Sequence, residues 1–440
     1  MRAGAMMLAW ALLCGARQEP AVEHVVIVSI DGLRPEFYLG DYEAPALKEL
    51  AREGAHAKAV ESVYPSVTYA AHASIVTGVR PWKHGIVANT RWGEGGSTRD
   101  WYWHAKDLKA RTLWQAAREK GLKTAITYWP VSVGAEADWV LGEIWDPDKT
   151  ETVARLQAAA TPGLLVELSF ALGIPKEKIA EDKAAIDNFV SRAAAYVFRK
   201  YKPNLQLVHL LNVDDAQHKQ GRDGDGVKEA VRRQDENLAR IRKAIEESGL
   251  KAKTLLIVVG DHGFTDVTRN VNPNAHLRDM GYLEADGEKV KAWRALARSS
   301  GGSAAVYVKD KADVEPVAEL FRKASTHEGA ATYRVVGRDE LDALGYNPDA
   351  AFALEPEKGW AFSGALAPAL VHGEPTVKGN HGQMPSLPEL QTGFVAWGAG
   401  VKPGSSVAKM RLIDVAPTVA RLLGLDLKGA EGAALHGILR

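Results

Sequence analysis

The sequence predicts an α/β fold in which a mostly parallel sheet is covered by helices on both faces. Short, continuous apolar runs rich in β-branched residues are typical of buried strands. Four such runs occur, at Val25 to Ile30, Leu205 to Val213, Thr254 to Val259 and Phe394 to Trp397. Helical patterns lie between them, for example at Ala44 to Glu53, Thr112 to Lys120 and Gly226 to Ser248. This alternation of strands and helices is the pattern of a parallel sheet.

Length and charge narrow the class of protein. The chain has 440 residues, of which 46% are hydrophobic, so it can bury a large core, and its length alone suggests two or three domains. Lys plus Arg and Asp plus Glu are both 55, which leaves no excess of positive charge to follow a phosphate backbone. We therefore expect no binding to a nucleic acid backbone, whereas a small phosphate ester remains an acceptable substrate.

Residues 1–16 read as a signal peptide. Met1-Arg2 is basic, the apolar run from Ala5 to Leu13 is too short to span a bilayer, and small residues follow at Gly15-Ala16. A mis-started N-terminus is the alternative. The leader predicts export, to the periplasm or outside the cell, with no transmembrane segment and with residues 17–440 as the catalytic domain.

The single cysteine, Cys14, lies inside this leader. A lipoprotein signal would also place a cysteine here, but Leu12-Leu13 precede it where a small residue is expected. The mature chain would then have no disulfide, no thiolate ligand and no cysteine nucleophile. Any metal site must be built from His, Asp and Glu.

Two segments look like insertions. Residues of about 270–379 combine short strands such as Ala304 to Val308, helices such as Ala312 to Ala324, and the Pro- and Gly-containing loop from Gly345 to Gly364. We interpret this segment as an inserted cap. A second, helical insertion is predicted over Asp148 to Arg199.

Acidic residues follow three of the predicted strands. Asp31 comes after the first, Asp214 and Asp215 after the second, and Asp261 with His262 after the third. In open α/β sheets ligands bind outside the carboxyl ends of the strands, so these positions are expected to converge in one crevice.

Three short motifs supply metal-ligand chemistry. Asp214 and His218 lie four residues apart, so both can point the same way from one helical turn, although a helix cap and a surface histidine would also explain them. Asp261-His262 stands between glycines after an apolar strand, where buried charge is costly unless it is paired or metal-bound, and a capped turn is the alternative. His381 also stands close to glycines, in Gly379-Asn380-His381-Gly382. Three Asp and three His are oxygen and nitrogen ligands that zinc accepts.

Thr68 is the candidate nucleophile. It precedes the helical pattern of Ala73 to Gly78, and a helix start favours an anion through its free N–H groups and dipole. An N-cap role is the alternative, and the two roles can coexist. Because a threonine hydroxyl is a poor nucleophile at neutral pH, this chemistry needs the metals.

With these motifs, the chain resembles the nucleotide pyrophosphatase/phosphodiesterase family of the alkaline phosphatase superfamily, from Val25 to beyond His381. Thr68-Tyr69-Ala70-Ala71-His72 is similar to the family's T-F-P-N-H, from which it departs at Pro and Asn. The run from Thr77 to Asn89 is similar to the family's T-G-x-x-P-x-x-H-G-I segment.

The resemblance implies an alkaline-phosphatase-like three-layer α/β/α core and two zinc ions. Asp31, Thr68, Asp261 and His262 would surround one zinc, and Asp214, His218 and His381 would hold the other. Asn89 would donate to a non-bridging phosphate oxygen, and an ordinary loop asparagine is the alternative. Thr68 would attack a small-molecule phosphodiester or nucleotide and form a phosphothreonine intermediate.

Several alternatives stay open beside this interpretation. Threonine-type phosphomonoesterases place a Lys-x-Arg pair after a core strand, whereas here Thr124 to Thr127 runs into Tyr128-Trp129-Pro130, which resembles the W-P-G of the diesterases and favours a diester. Ser66 keeps a serine-dependent, manganese-using mutase open, and a non-catalytic metal- or carbohydrate-binding export protein is a further class. Sulfatases are excluded because the mature chain lacks both the cysteine and the C-x-P-x-R context they modify.

The leaving group and the oligomeric state stay open at this level. An aromatic pocket for a nucleobase, a choline or a glycerol is expected from Tyr69, Trp82, Trp92 and Trp129.

Overall fold

The computed structural model describes residues 22–91, 100–145, 151–366 and 371–440. The predicted leader with Cys14, and Trp92, lie outside these ranges.

The centre of the described chain is an eight-stranded sheet. Its strands, in spatial order, are Ser405–Val407, Ala55–Ala57, Phe394–Gly398, Thr254–Val259, His24–Ile30, Leu205–Leu210, Thr124–Thr127 and Trp139–Leu141. Within this sheet Phe394–Gly398 alone runs antiparallel to its neighbours. The prediction of a mostly parallel sheet is confirmed.

Alternate residues of the central strand His24–Ile30 point into two separate cores, because successive side chains of a strand face opposite sides. Val26 and Val28 pack with residues of the helices Pro45–Glu53, Lys183–Tyr201 and Asp225–Glu247. Val25 and Ile27 pack with residues of Thr68–Thr77, Leu113–Glu119 and Val415–Leu423. The fold therefore has three layers, helix, sheet and helix.

A second, antiparallel sheet has its own core. Its strands, in spatial order, are Ala295–Ser300, Ser303–Val308, Phe352–Pro356 and Tyr333–Val336. Phe321 of the helix Lys311–Lys323 packs against it together with Val306, Phe352 and Leu354. This sheet lies within the segment interpreted as the cap.

The remaining elements of the described chain are short or connect these layers. The helices are Glu36–Leu39, Pro81–His84, Thr152–Ala158, Leu164–Leu172, Asn212–Gln220, Pro273–Asp279 and Arg338–Leu344. The strands are Val60–Glu61, Thr265–Val271, Leu283–Asp286, Lys289–Trp293, Thr326–His327, Ala330–Ala331, Gly359–Phe362, His372–Gly373, Gly379–Asn380 and Met410–Arg411.

One expectation about an element boundary was wrong. The apolar run to Val213 is not all strand, because the strand ends at Leu210 and a helix begins at Asn212, where a buried helical turn also requires apolar residues. The helical insertion predicted over Asp148 to Arg199 begins outside the described residues and includes most of the helix Lys183–Tyr201. This helix packs along Asp225–Glu247 and against the strand Leu205–Leu210, in one of the two helical layers.

No helix in the described ranges combines the length and the apolar character that crossing a membrane requires.

Candidate active site

The predicted ligands meet at the carboxyl ends of three neighbouring strands. Asp31 directly follows His24–Ile30, and Asp261 follows Thr254–Val259 after one glycine. Asp214 lies in the first turn of the helix after Leu205–Leu210. These strands are adjacent in the sheet, so residues far apart in the chain share one crevice.

Asp31, Asp261 and His262 form the first ligand group. Their ligand atoms lie within 4.8 Å of one another, and all three side chains are buried. His262 Nε2 is 3.3 Å from Asp31 Oδ1 and 3.2 Å from Asp261 Oδ2. The hydroxyl of Thr68 joins this group, since its Oγ1 is 3.5 Å from the same nitrogen.

Backbone amides orient Asp261 toward the group. Its Oδ1 accepts hydrogen bonds from the N–H of Gly32 and of His262, both at 3.0 Å. Gly32 has a φ of 70°, and a Cβ at this position would lie 2.6 Å from Gln217 Nε2, so only glycine suits the turn. With Oδ1 occupied, Oδ2 is the oxygen left for a ligand.

Asp214, His218 and His381 form the second group. Asp214 Oδ1 is 3.4 Å from His218 Nε2 and 3.5 Å from His381 Nε2. His262 also lies close to this group, because its ligand atom is within 4.8 Å of those of Asp214 and His381, and its ring stacks on His381 at 3.5 Å between centroids. The two groups are thus contiguous.

Hydrogen bonds determine which nitrogen each histidine presents. The Nδ1 atoms of His218 and His381 lie 2.9 Å from the carbonyl oxygens of Gly379 and Ser66, and that of His262 lies 3.3 Å from the Gly263 carbonyl. A carbonyl can only accept, so Nδ1 carries the hydrogen and the Nε2 lone pair faces the carboxylates. Lone pairs and carboxylate oxygens at 3.2–3.5 Å repel each other unless a cation lies between them.

The pKa shifts of these side chains also indicate that the buried carboxylates need a compensating positive charge. Burial raises the pKa of Asp31 well above its ordinary value, and the nearby Asp214 carboxylate raises it further. Burial, followed by the Asp31 carboxylate, raises the pKa of Asp261. Burial lowers the pKa of His381 to about 4 and also lowers that of His262, which His381 depresses further. Positive charge from the histidines is therefore disfavoured here.

The donor set fits a metal. The buried atoms Asp31 Oδ1, Asp214 Oδ1 and Asp261 Oδ2 have no hydrogen-bond partner in the structure, and each faces a histidine Nε2. Uncompensated buried carboxylate oxygens are costly, and a cation would satisfy them. Carboxylate oxygens with imidazole nitrogens, and no thiolate, are a zinc-type ligand set.

Thr68 is the first residue of the helix Thr68–Thr77, whose N-cap is Val67. The alternative that Thr68 serves as the N-cap is therefore wrong, and its hydroxyl faces the first ligand group instead. The helix start lies beside the two candidate ligand groups, so its dipole favours an anion there.

Asn89 is held next to this helix start. Its Oδ1 accepts a hydrogen bond of 2.9 Å from the backbone N–H of Tyr69. The Asn89 side chain is therefore held at the backbone of Tyr69, the residue that follows Thr68.

The hydroxyl of Ser66, the alternative nucleophile, has a structural role. It is fully buried, its Oγ donates to the Gln383 carbonyl at 2.8 Å, and it accepts from the Gly382 N–H at 3.1 Å. These contacts shape the loop that carries His381.

His209 and Glu143 lie beside the site and were not singled out from the sequence. The Nδ1 of His209 is 2.8 Å from Glu143 Oε2, and its Nε2 is 3.3 Å from Asp31 Oδ2. A signal was present, since His209 interrupts the apolar run of a buried strand.

The expected aromatic pocket is not formed as predicted. Tyr69 and Trp129 are fully buried, because Tyr69 packs against Trp101 and Trp103 while Trp129 packs against His72. Trp82 is 49% exposed. The fourth residue, Trp92, lies outside the described residues.

Comparison with known proteins places this site in context. The family described as type I phosphodiesterase / nucleotide pyrophosphatase matches residues 25–384. The chain is 23% identical over 436 residues to ectonucleotide pyrophosphatase/phosphodiesterase family member 7 of Rattus norvegicus, covering 95% of this chain and 87% of that protein. It is 20% identical over 440 residues to the bis(5'-adenosyl)-triphosphatase of Mus musculus, covering 98% and 84%. The match to a venom phosphodiesterase of Naja atra, at 24% identity, covers 56% of this chain and spans only 27% of the venom protein.

Solved structures share the fold. Human ectonucleotide pyrophosphatase/phosphodiesterase 5 superposes with a TM-score of 0.68 at 18% identity, covering 93% of this chain and 97% of that one. An inactive threonine-to-alanine variant of the murine protein, in complex with AMP, gives 0.69 at 19% identity, with the same coverage.

Proposed function

The chain belongs to the type I phosphodiesterase/nucleotide pyrophosphatase family, and from this premise we propose that it hydrolyses small phosphodiesters or pyrophosphates with Thr68 as nucleophile and two zinc ions. The observation that carries the proposal is the position of the Thr68 hydroxyl, at a helix start and 3.5 Å from a predicted metal ligand.

Asp31, Thr68, Asp261 and His262 would hold one zinc, and Asp214, His218 and His381 the other. When bound, the ions supply Lewis-acid stabilisation of the attacking and leaving oxygens and lower the pKa of a coordinated hydroxyl. The orphaned carboxylate oxygens and the Nε2 lone pairs support this assignment.

The chain's own residues then perform the displacement. Thr68 loses its hydroxyl proton to solvent and its Oγ1 forms a bond to phosphorus, while the bond from phosphorus to the leaving oxygen breaks and that oxygen takes a proton from water. A water molecule subsequently cleaves the phosphothreonine, which restores the hydroxyl and releases a phosphomonoester. Asn89 donates from its amide nitrogen to a non-bridging oxygen, and the helix dipole favours the developing charge.

Nucleotides are the proposed substrate class. This rests on the names of the relatives, one of which is a bis(5'-adenosyl)-triphosphatase, and on the AMP bound to the inactive murine protein. A turnover screen over dinucleoside polyphosphates, nucleotide esters, glycerophosphodiesters and choline esters tests it. Turnover of choline or glycerol esters alone would reassign the leaving group.

The proposed preference for diesters follows from the difference in charge between a phosphate monoester and a phosphate diester. A monoester brings one more negative charge and one more free oxygen, so a selective site must supply an additional cation or donor. No Lys-x-Arg pair follows the strand Thr124–Thr127 in the sequence, whereas Lys378 is exposed three residues before His381. Each missing charged hydrogen bond is worth about 1.5–3 kcal/mol, or roughly ten- to a hundredfold in rate.

The deciding measurement compares kcat/KM for p-nitrophenyl phosphate with that for bis-p-nitrophenyl phosphate and thymidine 5′-p-nitrophenyl phosphate on one zinc-loaded preparation. We expect both diesters to be preferred. Preference for the monoester would assign the chain to the threonine-type phosphomonoesterases, with Lys378→Ala as the variant that should then reverse it. Two bound zinc ions without turnover of any ester would support the non-catalytic interpretation.

We also propose that the protein is exported and that residues of about 270–379 form a cap inserted into the catalytic domain 17–440. The cap sheet contacts the His381 loop, since the Ser303 Oγ donates to the Gly382 carbonyl at 2.7 Å. N-terminal sequencing of protein recovered from cells should begin near Arg17. An intact Met1 would contradict export by this leader.

A further inference from the structure

The segment that carries Asn89 has little regular structure of its own. After the helix Pro81–His84 the chain bends without forming a further helix or strand, and Thr90 makes an isolated bridge to Trp101. The Asn89 carbonyl accepts a hydrogen bond of 3.1 Å from the Tyr102 N–H. A loop of this kind takes its position from the elements around it. The placement of the Asn89 amide therefore depends on what contacts this loop.

Arg298 of the antiparallel sheet reaches this loop from the other side. It lies in the strand Ala295–Ser300, and its Nη1 donates to the Arg91 carbonyl at 3.0 Å while its Nη2 donates to the Thr90 hydroxyl at 3.1 Å. The two bonds come from different nitrogens of one planar group, so they determine direction as well as distance. Burial lowers the pKa of the Arg298 guanidinium, which indicates that it is partly shielded from water. Charge-assisted hydrogen bonds are strong in such surroundings.

The hairpin that carries this arginine also contacts the second ligand group. Its first strand continues through a two-glycine turn into the strand Ser303–Val308. The Gly302 N–H donates to the His381 carbonyl, and the Ser303 hydroxyl donates to the Gly382 carbonyl at 2.7 Å. One hairpin therefore contacts both the loop of a candidate metal ligand and the loop of the proposed phosphate donor.

We propose that Arg298 is a positioning residue through which this hairpin holds the Asn89 amide in place relative to the candidate metal ligands. The proposal rests on the proposed function, in which Asn89 donates to a non-bridging phosphate oxygen. Arg298 acts on the loop next to Asn89 and is assigned no contact with the substrate. Its loss should therefore impair phosphate recognition only while Asn89 is present to be positioned.

The test is a double-mutant cycle between Arg298 and Asn89. Arg298→Met keeps an unbranched side chain and removes the donors, whereas Arg298→Lys keeps the charge and loses the planar fork. Each substitution is made in the wild type and in Asn89→Ala. Arg338→Met is the matched control, because Arg338 is another arginine of the cap segment and donates to the carbonyls of Asn347 and Ala350 in the same segment.

Two quantities are measured on the zinc-loaded proteins. One is kcat/KM for thymidine 5′-p-nitrophenyl phosphate, and the other is the Kd of inorganic phosphate by titration calorimetry. We expect Arg298→Met to lower kcat/KM about tenfold in the wild type and less than about twofold in Asn89→Ala. The Kd of phosphate should rise in the same pattern. Arg298→Lys should give a smaller loss, and Arg338→Met should change neither quantity.

Zinc analysis and circular dichroism distinguish positioning from a general effect on the hairpin. Because Arg298 contacts the Asn89 loop and the turn of the hairpin contacts the His381 loop, Arg298→Met should keep its fold and the zinc content of the wild type. Loss of zinc from the folded variant would overturn the proposal.

Equal losses in the two backgrounds would also overturn it, as would wild-type kinetics and phosphate binding in a folded Arg298→Met. If Arg298→Met does not fold, Thr90→Val enters the same cycle, because it removes one of the two acceptors and keeps the shape of the side chain. Equal losses from Thr90→Val in both backgrounds would then overturn the proposal. A wild-type protein that hydrolyses no diester would instead refute the proposed function, while the phosphate-binding cycle would still decide the role of Arg298.

Discussion

Thr68 Oγ1 lies 3.5 Å from His262 Nε2, although 194 residues separate them in the chain. His262 turns its Nδ1 to a backbone carbonyl, so the Nε2 that approaches the hydroxyl also approaches the carboxylates Asp31 and Asp261. The hydroxyl and the ligand group therefore face the same point, which is the arrangement that a metal-activated nucleophile requires.

Replacement of Thr68 should separate chemistry from metal binding. We expect Thr68→Ala to lower kcat by about a thousandfold or more while both zinc ions stay bound, since the other ligands are unchanged. Thr68→Ser keeps a hydroxyl and should retain substantial turnover. Steady-state kinetics with parallel zinc analysis check this, and Ser66→Ala is the control, expected to affect stability more than turnover. A dead Ser66→Ala with an active Thr68→Ala would place the nucleophile at Ser66.

The Asn89 oxygen has a structural contact with the Tyr69 N–H, its nitrogen has the proposed catalytic role, and two substitutions distinguish these roles. Asn89→Ala removes both and should lower kcat/KM roughly a hundredfold. Asn89→Asp keeps an oxygen that can accept from the Tyr69 N–H but places a carboxylate where the donor was, so its loss should be at least as large. Near-normal activity of Asn89→Asp would mean that Asn89 only supports the helix start.

Adjacent carboxylates provide a matched test of the second ligand group. Asp214 faces His218 and His381, whereas Asp215 forms an ion pair of 2.6 Å with Lys219 at the surface. Asp214→Asn should release one zinc at chelator concentrations that leave the wild type intact, while Asp215→Asn should keep both ions and full activity. Zinc analysis of the two variants tests the assignment of Asp214 as a ligand. Equal zinc retention by both variants would contradict it.

Glu355 should make stability depend on pH. Burial raises its pKa to about 7, against an ordinary value of 4.5, while its hydrogen bonds to the Met384 N–H and the Tyr64 hydroxyl offset only part of this. A folded-state pKa above the unfolded one means that the folded state binds more protons between these values, so the free energy of unfolding falls as pH rises from 4.5 to about 7.

Glu355→Gln resembles the protonated form and removes this dependence. The free energy of unfolding of the variant minus that of the wild type should increase as pH rises from about 4.5 to about 7. The increase should be at most on the order of 3 kcal/mol. Urea unfolding of both zinc-loaded proteins across this range measures the difference. A difference that does not change with pH would show that Glu355 has an ordinary pKa in the fold.

Local patterns in the sequence predicted four of the central strands, the sheet type and the candidate ligands. Periodicity reports whether a segment is buried on one or both faces, so Thr254 to Val259 could be recognised as a buried strand without any knowledge of its neighbours. The acids after such strands follow from a general property of parallel sheets, which is why Asp31 and Asp261 could be placed at one edge before their separation was known.

Contacts between distant segments were decided by tertiary packing. Nothing in the spacing of His209 and Glu143 indicates that their side chains meet, and the carbonyls of Gly379 and Ser66 that orient His218 and His381 become partners only when the loops close around the sheet. Tyr69 and Trp129 illustrate the same limit, since residue type cannot distinguish an aromatic ring that lines an open pocket from one that fills the core behind it. Burial and ring orientation depend on which elements pack together, and that is a property of the whole fold.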